Sequence, residues 1–116
     1  MAGRSWLAAV APAAVVVPTG TRVAVDYSGH EPAAAVRLQE CFGMTSTPRV
    51  AGGRVPVLLR LLSPAMRPVQ TTADMASFWR EGYPLIRKEL RGRYPRHFWP
   101  EDPLSAAPTR RAKPRS

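Results

Sequence analysis

Cysteine is nearly absent: Cys41 stands alone among 116 residues, so no disulfide can close within the chain. That fits a reducing, cytosolic setting in which small folds are held without cross-links. Histidine is as scarce. His30, His97 and Cys41 have none of the spacings by which side chains gather around zinc, so no metal site is expected. No apolar run approaches the ~20 residues needed to cross a bilayer, and no membrane partner is expected. Arg4 and the apolar stretch 7–17 imitate a signal peptide, but Pro12 interrupts the stretch and no small-x-small cleavage site follows directly. A phosphate-cradling loop is missing too. Gly52-Gly53, between Arg49 and Arg54, lacks the Lys-Ser/Thr ending and reads as a plain turn.

Acidic residues are few. Eight Asp/Glu face 17 Lys/Arg, a net charge of +9. The excess is uneven: residues 80–116 carry net +6 and residues 1–79 net +3. Such a surface favours polyanions, of which nucleic acid is the commonest. The length suits one domain with a modest core. Thirteen prolines and eight glycines predict short elements and constrained turns.

Residues 4–11 could form a short helix ending at Pro12. Arg22-Val23-Ala24-Val25-Asp26-Tyr27 alternates with a period of two, which marks a half-buried strand. A reversal over 28–32, with His30 at its tip, predicts a hairpin to a strand at 33–37. Residues 38–43 suit one or two helical turns stopped at Gly43, with Cys41 as a small buried hydrophobe. Residues 44–54 read as loop. The longest apolar run, 55–62, is the expected central strand, Pro56 falling near its start where the ladder can spare a donor. Further strands are expected near 13–17 and 68–71.

Thr71-Thr72-Ala73-Asp74 matches a capping box ahead of a helix. Met75, Phe78, Trp79, Tyr83, Ile86 and Leu90 recur at three- and four-residue spacing, an apolar stripe that suits a core better than a ligand box. Pro84 would remove the bond to the carbonyl of Arg80, so a kink or two helices, about 72–82 and 84–91, are predicted. Arg80, Arg87, Lys88 and Arg91 line the opposite face.

After the helix, Tyr94, Phe98 and Trp99 alternate with Arg91, Arg93 and Arg96, while Pro95, Pro100 and Pro103 exclude regular structure. This stretch, 92–104, predicts an extended arm. Residues 105–116 read as a flexible basic tail containing Arg110 and Arg111. The expected architecture is α+β: a small, mainly antiparallel sheet packed against the 72–91 helical segment, with the arm laid across it.

Two functional readings stay open on these residues. In one, Arg80, Arg87, Lys88, Arg91, Arg93, Arg96, Arg110 and Arg111 neutralise phosphates while Trp99, Phe98 or Tyr94 stacks on an unpaired base. In the other, the arm packs on its own helix and the basic face docks on a protein. An independent enzyme is the weakest reading: His97, Glu101 and Asp102 lie close together, but nothing supplies a nucleophile.

From Ala11 onward the sequence resembles the C-terminal region of the HrpB family of bacterial ATP-dependent helicases of the DEAH-box class. The resemblance is carried by Val17-Pro18-Thr19-Gly20-Thr21-Arg22, Ala35-Val36-Arg37-Leu38-Gln39-Glu40, Gly53-Arg54-Val55-Pro56 and Leu61-Leu62-Ser63-Pro64-Ala65. It continues in Arg91-Gly92-Arg93-Tyr94-Pro95-Arg96-His97, Trp99-Pro100-Glu101-Asp102-Pro103 and Pro108-Thr109-Arg110-Arg111. It implies a cytoplasmic helicase whose ATP- and Mg²⁺-using motor domains lie upstream and would be this region's partners, beside the RNA or DNA, single-stranded in preference to duplex, that the basic and aromatic residues suggest. None of the motor's site residues maps onto this chain: Asp-Glu-x-His is missing as well as the phosphate loop. Residues 1–104 are thus expected to form a helicase accessory domain.

Overall fold

A computed structural model describes residues 12–111. The predicted helix at 4–11 and the last basic residues, Lys113 and Arg115, lie outside them. Seven short strands precede a single helical rod: β1 (Ala14–Val16), β2 (Arg22–Ala24), β3 (Ala33–Arg37), β4 (Arg49–Val50), β5 (Val55–Pro56), β6 (Leu58–Leu62) and β7 (Pro68–Thr72). The main sheet has the order β3-β6-β7, with β6 parallel to β3 and antiparallel to β7. β1 and β2 form an antiparallel hairpin, and β4 with β5 a two-residue antiparallel ribbon. The α+β architecture, with mainly antiparallel pairing, is as the sequence predicted.

The hairpin partners differ from expectation. Pro18-Thr19-Gly20 turns the chain between β1 and β2, with Gly20 at φ 90°, where a glycine is favoured. Toward β3 the backbone pairing is confined to Asp26, just beyond β2, and Ala33, which exchange both hydrogen bonds, while the opposite edge of β3 pairs along its length with β6 in register Ala33–Leu58 to Arg37–Leu62. Parallel strands need a long crossover. Residues 38–57 supply it, as a 3₁₀ turn (Leu38–Cys41) followed by the β4–β5 ribbon. Within β6, Leu59 and Leu61 are fully buried and Arg60 is exposed, so the strand alternates despite its apolar run.

The rod consists of α1 (Met75–Ser77), a π-helical turn (Phe78–Gly82) and α2 (Tyr83–Arg93). It starts later than predicted because β7 runs to Thr72 in register with Leu59. Asp74 is therefore the N-cap itself, accepting from the Ser77 amide at 3.1 Å. The expected break at Pro84 is replaced by the π-turn. There the Tyr83 amide bonds the Phe78 carbonyl five residues back, so Pro84 enters at the start of α2, where a missing donor is tolerated. A Cβ at Gly82 would lie 2.9 Å from a Phe78 ring carbon and 3.0 Å from the Gln70 amide, so glycine allows the rod to approach β7. The apolar stripe is core: Met75, Phe78, Trp79, Tyr83 and Leu90 are buried and Ile86 packs against them.

Phe42, fully buried after the 3₁₀ turn, joins the layers. Its ring lies 6.0 Å from Trp79, 6.2 Å from Tyr83, 6.2 Å from Phe98 and 6.4 Å from Trp99. Each such pair adds ~0.5–1.5 kcal/mol beyond the area it buries. Phe42→Ala should cost about 3–5 kcal/mol, from lost burial and an unfilled cavity. The midpoint of urea unfolding reads this. A shift below ~1 kcal/mol would show that the rings pack without Phe42.

Candidate nucleic-acid interface

The arm is fastened to the rod by donors on the rod and carbonyls on the arm. Tyr83 donates its hydroxyl to the Pro100 carbonyl at 2.7 Å, and Arg87 donates Nε to the carbonyls of Trp99 (2.9 Å) and Pro100 (3.1 Å). Burial pushes the Tyr83 phenol up to about 12, so it stays a donor across the physiological range. Prolines that remove amides from the arm leave its carbonyls free for these contacts.

Between the C-terminal half of α2 and the arm lies an open groove of about 640 Å³, lined by Arg87, Lys88, Arg91, Pro95, His97 and Phe98 among others. Lys88 and Arg91 are exposed on its helical wall, where the α2 C-terminus favours cations. Phe98 is 37% exposed, the one large aromatic ring left open among the described residues. Trp99 is only 5% exposed and donates its indole N–H to the Tyr94 carbonyl at 2.9 Å. Trp99 thus does not offer its faces to solvent as the stacking reading expected of it; of Tyr94, Phe98 and Trp99, the exposed ring is Phe98.

The remaining cations fall elsewhere. Arg96 is exposed on the arm. Arg93 lines a smaller cavity of about 150 Å³ with Arg67, Glu89 and Tyr94, away from the groove. Arg80, at the π-turn, contacts Ser77 and lies 3.6 Å from Glu81, an exposed pair of little energetic consequence. Arg110 is bound to the body, donating to the Thr19 carbonyl at 2.9 Å and the Thr21 hydroxyl at 3.0 Å. The Thr109 amide also donates to the Gln39 carbonyl, so residues 105–110, expected as the start of a loose tail, run back over the domain. Arg110 and Arg111 line a second open groove, of about 530 Å³, with Pro18, Thr19, Pro108 and Thr109.

Sequence reasoning passed over two side chains between the grooves. Glu40, buried, accepts from the hydroxyls of Thr19 (2.8 Å) and Thr21 (2.7 Å) and from Arg37 Nε (3.3 Å), with Arg110 Nε 3.7 Å away. Burial alone would raise its pKa. The hydrogen bonds from Thr21, Thr19 and Arg37 outweigh it and hold the carboxyl below its ordinary value. Gln39, fully buried, donates Nε2 to His97 Nδ1 at 3.2 Å. Burial, then the charges of Arg37 and Arg96, lower the His97 pKa and keep its ring neutral at pH 7. Cys41 is buried beside them with its thiol pushed up to about 12, which makes it inert. A hydrophobic pattern cannot reveal Glu40. The Thr-x-Thr of the β1–β2 turn, together with an acid beside an arginine in a short helical turn, is its only trace.

The Gly52-Gly53 turn leads into strand β5, not a helix, so no helix N-terminus is available there for nucleotide phosphates.

Fold and groove together define a small α+β domain with a cationic, aromatic-edged surface. Residues 1–103 match the HrpB_C family, described as ATP-dependent helicase C-terminal. The ATP-dependent RNA helicase HrpB of Escherichia coli (strain K12) is 53% identical over 103 residues, covering 88% of this chain and 13% of that protein. A crystal structure of the E. coli DExH-box NTPase HrpB superposes with a TM-score of 0.81 at 52% identity, over 87% of this chain and 13% of the other. A second, of the E. coli DEAH/RHA helicase HrpB, gives a TM-score of 0.57 at 48% identity over 76% of this chain and 11% of the other. This chain belongs to the C-terminal family of HrpB-type ATP-dependent helicases, and it spans about an eighth of the relatives it matches.

Because the Glu40 pKa is lowered in the folded state, its contribution is complete above the unfolded carboxylate range and is lost as pH falls through the folded value. Glu40→Gln should cost roughly 1–3 kcal/mol at neutral pH and flatten the acid side of the stability profile. Thermal unfolding between pH 3 and pH 7 checks this. An unchanged acid limb in the variant would contradict the role given to Glu40.

Proposed function

We propose that this domain gives an HrpB-type helicase a contact for single-stranded nucleic acid, made in the groove between α2 and the arm. The observation that carries the reading is the juxtaposition of Lys88 and Arg91, free of ion pairs among the described residues, with the half-open ring of Phe98. Cations neutralise phosphates, and an exposed ring stacks on any base, so binding is strong in low salt and weakly sequence-selective. No constellation for reading base edges accompanies them, and the partner is RNA or DNA. ATP and Mg²⁺ belong, on this reading, to the motor domains of the parent protein, in the cytoplasm, where a chain with a single thiol is at home.

A second reading has one specific observation behind it. Leu85 is 79% exposed on α2 beside exposed Pro84, an apolar spot that suits docking against the motor domains. Leu85→Ser in the intact helicase would then loosen the C-terminal domain, seen as faster proteolytic release of this region. An unchanged release rate counts against docking there.

For the nucleic-acid reading, Lys88→Ala and Arg91→Ala should each lower affinity for single-stranded oligonucleotides and flatten the log–log salt slope by about 0.7. Phe98→Ala should cost ~1–3 kcal/mol. Fluorescence anisotropy across a salt series measures both. Binding that is insensitive to salt and to all three substitutions would defeat the reading.

A further inference from the structure

We propose that the two basic grooves are parts of one continuous track, along which a single strand passes over the Leu38–Cys41 turn, with Arg37 as the contact between them. The proposal rests on the nucleic-acid reading of the first groove and extends it in length and direction.

The 3₁₀ turn touches both grooves. From Gln39, the side chain reaches His97 at the edge of the first groove (3.2 Å), while the carbonyl accepts from Thr109 in the wall of the second (3.0 Å). Arg37 stands at the start of that turn, close enough to His97 to depress its protonation together with Arg96. On the other side, Arg37 shares the Glu40 carboxylate with Arg110, at 3.3 Å and 3.7 Å. The order of cations is thus Arg91, Lys88 and Arg87, then Arg96 and Arg37, then Arg110 and Arg111.

Exposure supports a surface path. The Arg37 side chain is 31% exposed and that of Arg110 53%, whereas Glu40 between them is 6% exposed. The one carboxylate inside the band is therefore sunk below the surface, its oxygens taken by Thr19, Thr21 and Arg37, and the two guanidinium groups outweigh it. Glu101 and Asp102 are exposed beyond Pro100 but line neither groove. With Glu40 neutralised locally, the band presents one sign of charge from the end of α2 to the β1–β2 turn. Such a stripe fits an extended polyanion, since folded duplex ends or compact anions would use one groove alone.

Oligothymidylates of about 4 and about 16 nucleotides, the range of site sizes known for single-strand grooves, separate the possibilities with the full chain. The longer probe should bind more tightly and with a steeper salt slope. Arg111→Ala and Arg96→Ala, both at exposed positions, should weaken the longer probe several-fold and flatten its slope by about 0.7 each, leaving the shorter one unchanged. Arg111→Lys should restore the slope. Equal slopes for both lengths, with short-probe binding still lost in Lys88→Ala, would overturn the track while leaving the first groove intact. Binding of the short probe lost equally on Arg111→Ala would also overturn it. No binding at either length would remove the nucleic-acid reading itself.

Discussion

The ring of Phe42 is the point on which the domain closes. It follows directly after a 3₁₀ turn whose four residues are all buried, and the rings of Trp79 and Tyr83 on the rod and of Phe98 and Trp99 on the arm surround it. Each layer of the fold is thin. The main sheet has three strands, and the helix presents a single stripe, so neither alone buries much surface. A large ring at the junction lets sheet crossover, rod and arm share one core. Polar tips of the same aromatics then fix the orientation: Trp79 donates to the Met44 carbonyl, Tyr83 to Pro100 and Trp99 to Tyr94. Three buried donors find three carbonyls, leaving no desolvated N–H or O–H among them.

The groove follows from that closure. With Trp99 turned inward to meet Phe42, the backbone at 99–100 is held against Tyr83 and Arg87, and Pro95, His97 and Phe98 line the groove that lies between the arm and α2. Phe98 has a double position, edge-on to Phe42 on one side and open on the other. On the proposed nucleic-acid reading, a ring already packed against Phe42 forfeits less side-chain entropy on binding a base.

Much of this was legible in the residues. The apolar stripe from Met75 to Leu90 named the core face of the rod, and the period of two at 22–27 marked a strand. Pairing was not legible, because β-strand partners are set by tertiary context. Val23 and Val25 suit a hairpin on either side; the Pro18-Thr19-Gly20 turn took one, and toward β3 the pairing stops at the Asp26–Ala33 bridge. The π-turn at Phe78–Gly82 lies beyond a helical-period argument, since it arises where a proline without an amide meets a glycine packed on Gln70. Of the candidate site, the cations of α2 were apparent from charge alone. Which of two adjacent rings faces outward was not, for composition is blind to the direction of a side chain on an irregular arm.

Charge itself divides into two kinds of work here. Arg37, Arg87 and Arg110 each commit Nε to the protein itself, to a carboxylate or to segments far apart in sequence, and Arg110 adds a second nitrogen, a fork that a lysine could not supply. Lys88, Arg91, Arg96 and Arg111 have no such internal partner among the described residues, and they stand beside the tied ones. The structural arginines thus do more than hold the chain. By anchoring the arm and the 105–110 segment where they do, they set the spacing of the free cations and keep like charges from spreading apart under their own repulsion. A net charge of +9 on so small a body would otherwise oppose compactness, and the domain answers it by committing part of that charge to its own backbone carbonyls.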